Sequence, residues 1–178
     1  MASVKKTETK PKEKSISINK EIEIMQSHLQ ELRNLAGWSA DELGQKLGMS
    51  RQAINALERG GTSTDKTGTI RMNQLHYLAL IHLFTSECAN SSNEALAAVL
   101  KMLFEDPDNY LKNKDDYDIK IEMLASPSKK NVTTEEANNN TSKRLKQLGL
   151  TAILPVMGVV GLSALLTKKI LELGKKKD

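Results

Sequence analysis

The chain has 178 residues, a formal net charge of +4 and 3% aromatic residues. That is room for one domain of ordinary size plus extensions, and the leucine, alanine and methionine pattern points to an all-α fold. Cys88 is the only cysteine, which excludes an internal disulfide, and its place in an apolar helical run makes it a small core residue.

The same survey removes most enzyme classes. His28, His76 and His82 have no carboxylate or cysteine at ligand spacing, so no metal site is expected. There is no glycine-rich phosphate loop, no Ser/His/Asp cluster and no cysteine pair, so neither a catalytic residue nor a cofactor is expected. The acidic stretch 105–118 lacks the glycine and terminal glutamate of a calcium loop and reads as a solvated segment. Charge is unevenly placed along the chain. It is +3 over residues 1–14, balanced at seven against seven over 20–71, −4 over 105–118 and +6 over 143–178. Nucleic-acid binding would therefore depend on where individual Lys and Arg side chains sit, not on a basic domain as a whole.

In chain order, residues 1–19 read as a basic disordered arm. It is either a solvated tail or a source of extra phosphate contacts. Residues 1–14 are charged and carry no apolar run, so no signal peptide is expected. From Glu21 to Ala36, the positions Ile22, Ile24, Met25, Leu29, Leu32 and Leu35 fit one face of a single helix. Ser39 with Glu42 forms a capping box opening a second helix to about Leu47. Gly48 suits a left-handed turn. Ser50 caps a third helix ending near Glu58, Arg59 and Gly60. Leu43, Leu47, Met49, Ile54 and Leu57 supply its apolar contacts, leaving Arg51, Gln52, Asn55 and Arg59 to point outward.

These residues resemble the helix-turn-helix of the phage repressor and Cro class, the XRE-type domain. The resemblance rests on Glu31-Leu32-Arg33, Gly37-Trp38-Ser39, Asp41-Glu42-Leu43-Gly44, Leu47-Gly48-Met49-Ser50-Arg51-Gln52, Ile54 and Glu58-Arg59-Gly60. It runs without gaps over about residues 22–60. Two positions depart from the class pattern. Gly44 stands where a small alanine is usual, at a cost in helix propensity. Ala40 stands where a glutamine often binds phosphate.

The resemblance implies a sequence-specific regulator of transcription, more often a repressor, bound to double-stranded DNA in the major groove. A helix fits that groove, where Gln52 and Asn55 can each pair with adenine and Arg51 with guanine or a phosphate. Ser50 and the helix N-terminus suit a phosphate, and Arg59 suits the DNA backbone. By resemblance, Arg33 and Glu58 form a partly buried ion pair that serves structure. Trp38 reads as a core residue preceding the cap.

Residues 61–70 form a polar loop in which Lys66, with Arg71 beside it, can reach the DNA backbone. Asn73 caps a fourth helix to about Cys88, and Ser91 with Glu94 caps a fifth to about Phe104. The five helices define a domain over 20–106. In this class the fourth and fifth helices often supply a homodimer interface; otherwise they complete the core. Residues 107–142 read as an acidic, then polar, linker, with a short helix possible near Tyr117–Leu124.

Residues 143–178 read as a basic-flanked hydrophobic helix. Residues 147–167 carry no charge, and their apolar content is Leu148, Leu150, Ile153, Leu154, Val156, Val159, Val160, Leu162, Leu165 and Leu166. The run has the length of a transmembrane helix. It can span the bilayer, enter and return through a bend at Pro155, or pack as a soluble helix in an oligomer. The expected location is cytoplasmic, with this segment as an anchor on the cytoplasmic membrane. The alternative function is a membrane-anchored scaffold using an XRE-type domain for protein–protein contact.

Overall fold

Burial of one apolar stripe per helix organises the molecule. The computed structural model describes residues 17–62, 68–91, 93–126 and 143–150, with the isolated positions 167 and 171. These residues are helical, with no strand among them. The helices are α1 (Ile18–Ser27), α2 (Leu29–Leu35), α3 (Ala40–Leu47), α4 (Arg51–Thr62), α5 (Gln74–Ser91), α6 (Glu94–Phe104), α7 (Pro107–Lys112) and α8 (Lys114–Ala125). Residues 143–147 add a short helix, α9.

One core joins them. Met25, Leu29 and Leu32 from α1 and α2 meet Leu43 of α3, Ile54 and Leu57 of α4, Tyr77, Leu80, Ile81 and Phe84 of α5, and the apolar side of α6. Trp38 is partly buried, stacks on Phe84 at 5.6 Å between ring centroids, and carries the Lys46 ammonium over its outer face at 4.6 Å. Several buried polar groups are paired across the core. The Tyr77 hydroxyl donates to Glu21 at 2.9 Å, tying α5 to α1. Cys88 is buried, and loss of water, with the nearby Glu87 carboxylate, pushes its thiol up to about 12. It remains a protonated core residue.

Outside the helix-turn-helix, the structure differs from the reading of the helices in four main places. The expected helix over 21–36 breaks at His28, whose backbone (φ −112°, ψ 14°) is no longer helical. There the ring is drawn into a buried polar group: its Nε2 lies 2.8 Å from the Tyr110 hydroxyl and 3.2 Å from Asp118. The cap of α6 is Asn93, not Ser91. Its side-chain oxygen accepts from Leu96 N–H, and its amide donates to the Leu35 carbonyl. Ser91 closes α5 instead.

The third difference is larger. Over 107–125 the chain is not linker but two helices. Pro107 starts α7 in the position where its missing N–H costs nothing, and Tyr110, Ile121 and Leu124 join the core. Lys114 and Lys120 each pair with an aspartate one turn away, Asp118 and Asp116. These pairs offset the acidic excess that made the stretch look solvated. Fourth, the apolar run does not begin as a continuous helix. After α9, Gly149 turns left-handed (φ 69°) and ends it. Leu145 and Leu150 are buried in the same core, and Leu148 packs against it. The other residues named in that run, Ile153, Leu154, Val156, Val159, Val160, Leu162, Leu165 and Leu166, lie outside the described residues, as do residues 1–16 of the basic arm; the arm expected over 1–19 is shorter than read, because Ile18 and Asn19 open α1 and Ile18 is buried against the core. Among the described residues, no helix is long and apolar enough to cross a membrane.

Candidate nucleic-acid interface

The α3–turn–α4 unit is built by local rules. Ser39 caps α3: its hydroxyl accepts from Glu42 N–H at 3.1 Å, and the Glu42 carboxylate accepts from Ser39 N–H at 2.6 Å. Those bonds hold the Glu42 carboxyl below its usual range. Gly48 ends α3 in the left-handed region (φ 67°), where a side chain would be strained.

Gly44 then lets the turn close. A Cβ there would stand 2.6 Å from the Met49 carbonyl oxygen, so the alanine usual in the resembled class does not fit this turn. Glycine at this position is required by close approach, not merely tolerated.

Three tethers fix α4. Arg33 Nε donates to Glu58 Oε1 at 2.6 Å, with side chains only 12% and 10% exposed. The same guanidinium donates to the Trp38 carbonyl at 2.8 Å. Gln26, 6% exposed, is the second tether, and the sequence reading missed it. Its amide donates to the Leu57 and Ile70 carbonyls at 2.9 and 2.6 Å, and its oxygen accepts from Met72 N–H at 3.0 Å. One side chain thereby stitches α1 to the end of α4 and to the chain leaving it. The available signal was a glutamine on the buried stripe between Ile22 and Leu29. Gly60 makes room for it, since a Cβ would sit 2.4 Å from both the Gln26 amide nitrogen and the Ile70 oxygen. Gly60 is therefore not a helix stop, and α4 continues to Thr62. The third tether is Arg59, which donates to the Gly68 carbonyl at 3.1 Å.

With α4 held, its outer side is open. Arg51 and Gln52 are exposed and Asn55 is partly buried, and the side chains of the three make no hydrogen bond to another described residue. Arg51 and Asn55 stand one turn apart, with Gln52 beside them, so the structure brings these three to one surface. Ser50 lies at the N-terminal end of that surface. Its hydroxyl oxygen accepts from Ala53 N–H at 3.2 Å, which leaves its O–H free to donate. Arg59 is exposed but shares its charge with the chain's own loop. Lys66 lies outside the described residues.

A family model described as helix-turn-helix matches residues 29–67, which takes in α2, α3, the turn, α4 and the chain beyond it. No curated protein and no solved structure matches the chain. The class of module is thus a helix-turn-helix. Within that class, match and geometry together support an XRE-type, DNA-binding domain of the kind found in transcription regulators.

Proposed function

We propose that the protein is a sequence-specific repressor of transcription that reads the DNA major groove with α4 and binds as a homodimer to a pseudo-palindrome. The observation that carries this reading is the surface of α4. The side chains of Arg51, Gln52 and Asn55 are unbonded within the described fold, while Arg33–Glu58 and Gln26 lock the helix that presents them. Rigid backbone under free polar side chains is what base readout requires. Gln52 and Asn55 are assigned to base edges, Arg51 to guanine or phosphate, and Ser50 with the α4 N-terminus to phosphate. Arg59 and Lys66 are assigned to the DNA backbone. The partner is double-stranded DNA.

The test is selection of bound fragments from genomic DNA by the full chain, followed by titration of the selected site. Gln52→Ala or Asn55→Ala should lose about 1–3 kcal/mol of discrimination at one base position with the fold unchanged. Equal loss on selected and random DNA would remove both from base readout. Derepression of a reporter carrying the site would separate repression from activation.

A second reading concerns residues 151–167, which carry no charge and are followed by Lys168 and Lys169. We propose that this run attaches the protein to the cytoplasmic membrane. Burial of Leu150 assigns residues 147–150 to the folded domain and leaves seventeen uncharged residues, the short end of what spans a bilayer. In the scaffold alternative, the same domain would bind protein rather than DNA at the membrane. Failure to select any DNA site, with the chain in the membrane fraction, would favour it.

A further inference from the structure

α8 is apolar on two sides. Ile121, Leu124 and Ala125 are buried where the helix packs on α2. On the opposite side, Ile119 and Met123 stand one turn apart at 59% and 54% exposure, although the solvent side of a surface helix is normally polar. Acids frame this pair. At about 100° per residue, Asp115 and Glu122 fall along one edge of it and Asp116 along the other. Asp116 is paired with Lys120. Asp115 and Glu122 are exposed and form no ion pair among the described residues. The face therefore suits an apolar segment with cations beside it.

The chain itself supplies such a segment. Residues 151–167 are uncharged and largely apolar, and Lys168 and Lys169 follow. The segment leaves the fold beside α8. Arg144 Nη1 donates to the carbonyl of Ser126, the C-cap of α8, at 3.5 Å. The Leu150 N–H closes back on the Leu145 carbonyl at 2.9 Å, so residue 151 starts near that end of the helix. Length suffices as well. With a rise of about 1.5 Å per residue, the 12 residues of α8 make about 18 Å, and a run the length of 151–167 makes about 25 Å even at that compact rise.

We propose that the outer side of α8 is a docking surface for residues 151–169 of the same chain. Followed from the C-terminal end of α8, the uncharged part meets Met123 and then Ile119, and Lys168 and Lys169 come toward Asp115. A tether holds its own segment at an effective concentration in the millimolar range. A surface of two apolar side chains therefore fills with that segment before it fills with a free partner of similar chemistry. Docking removes apolar side chains of both from water. With two side chains as its base the contact is shallow, and the melting temperature stays with the core. The surface goes beyond the membrane reading, because it gives the charge-free run a place on the domain and holds or fails in lipid-free solution.

Photo-cross-linking of the full chain tests it, with p-benzoylphenylalanine in place of Met123 and the dilute protein irradiated without lipid or DNA. Cross-links should fall within residues 151–169 of the same chain. Ile119→Asp in that background should lower their yield about threefold, with an unchanged melting curve because Ile119 is outside the core. Asp115→Lys should lower it about twofold, and adding Lys168→Glu with Lys169→Glu should restore it. Cross-links confined to other parts of the chain or to a second copy would overturn the proposal. So would a yield indifferent to both Ile119→Asp and the charge reversals. Membrane fractionation runs separately. A chain that cross-links as expected yet never pellets with membranes would defeat the membrane reading and leave this surface standing.

Discussion

At the scale of single residues, the DNA-reading surface depends on side chains that never touch DNA. Gln26 bonds two backbone carbonyls and one N–H from three points of the chain. Gln26→Leu keeps the approximate volume and removes all three bonds, leaving the Ile70 carbonyl and the Met72 N–H without this partner. An unsatisfied buried group costs about 1–3 kcal/mol, so the variant should lose about 3 kcal/mol or more in denaturant melts and bind every DNA sequence less well. Gln26→Glu keeps the acceptor but loses the donors, and should be no better. Arg33→Ala strands Glu58, which is 10% exposed. Breaking a buried pair costs about 3–5 kcal/mol, and the melting temperature should fall before base preference changes. A change of preference at constant stability would mean that the pair acts in readout rather than in support. The ion pair was legible because the resemblance supplied both positions. Gln26 was not, since periodicity marks which face a residue occupies but not which distant carbonyl it meets 44 residues later.

Between elements, the junction of α1, α2 and α8 is where titration acts. Burial lowers the His28 pKa from 6.5, against the nearby Asp118 carboxylate, which raises it, and the Lys114 ammonium, which lowers it further. The unfolded chain then takes up this proton at higher pH than the folded one. The contribution of His28 is full above 6.5 and is lost as pH falls below it. Glu31 on α2 behaves oppositely. Burial, with Glu58, Glu122 and Asp118 nearby, raises its pKa from 4.5, and its Oε2 has no hydrogen-bond partner among the described residues. Its contribution is full below 4.5 and is lost as pH rises through its folded pKa. Glu31→Gln should therefore raise the melting temperature at pH 7 and leave the acid side of the profile intact. His28→Gln should flatten the acid side between pH 6.5 and 5. Melts of the two variants across pH 4.5–8 check both signs, and a wild-type pH profile retained by both would remove the junction as their cause. The helices of this junction were only partly visible in the sequence. The period of α1 and α2 reads as one helix because His28 falls near the apolar stripe. Acidic α7 read as linker and α8 only as a possible short helix near Tyr117–Leu124, because the buried side chains Tyr110, Ile121 and Leu124 meet partners from far upstream.

For the molecule as a whole, the helix-turn-helix was readable from its caps, its turn glycine and its spacing, all of them local chemistry. The extent of the domain was not, because it depends on two leucines beyond residue 142. Leu145 is fully buried and Leu150 is 3% exposed; α9 carries the first, and the Gly149 turn swings the second inward. Leu150 N–H donates to the Leu145 carbonyl at 2.9 Å, closing the turn. A chain ended at Ser142 would therefore lose part of its core as well as its apolar tail. Each leucine burial contributes about 1.5–3 kcal/mol, and loss of the two should lower the melting temperature by a few degrees. A chain ended at Leu150 should melt with the full chain. The pair of truncations separates two roles that a single cut confounds. If residues 151–167 attach the protein to a membrane, the full chain pellets with membranes through a carbonate wash, and both truncations stay in the supernatant. The chain ended at Leu150 should then bind its DNA site with the affinity of the full chain, since α4 and its tethers are untouched. Should that chain also pellet, the charge-free run is not the anchor. Equal melting temperatures for the two truncations would show instead that Leu145 and Leu150 add nothing to the core.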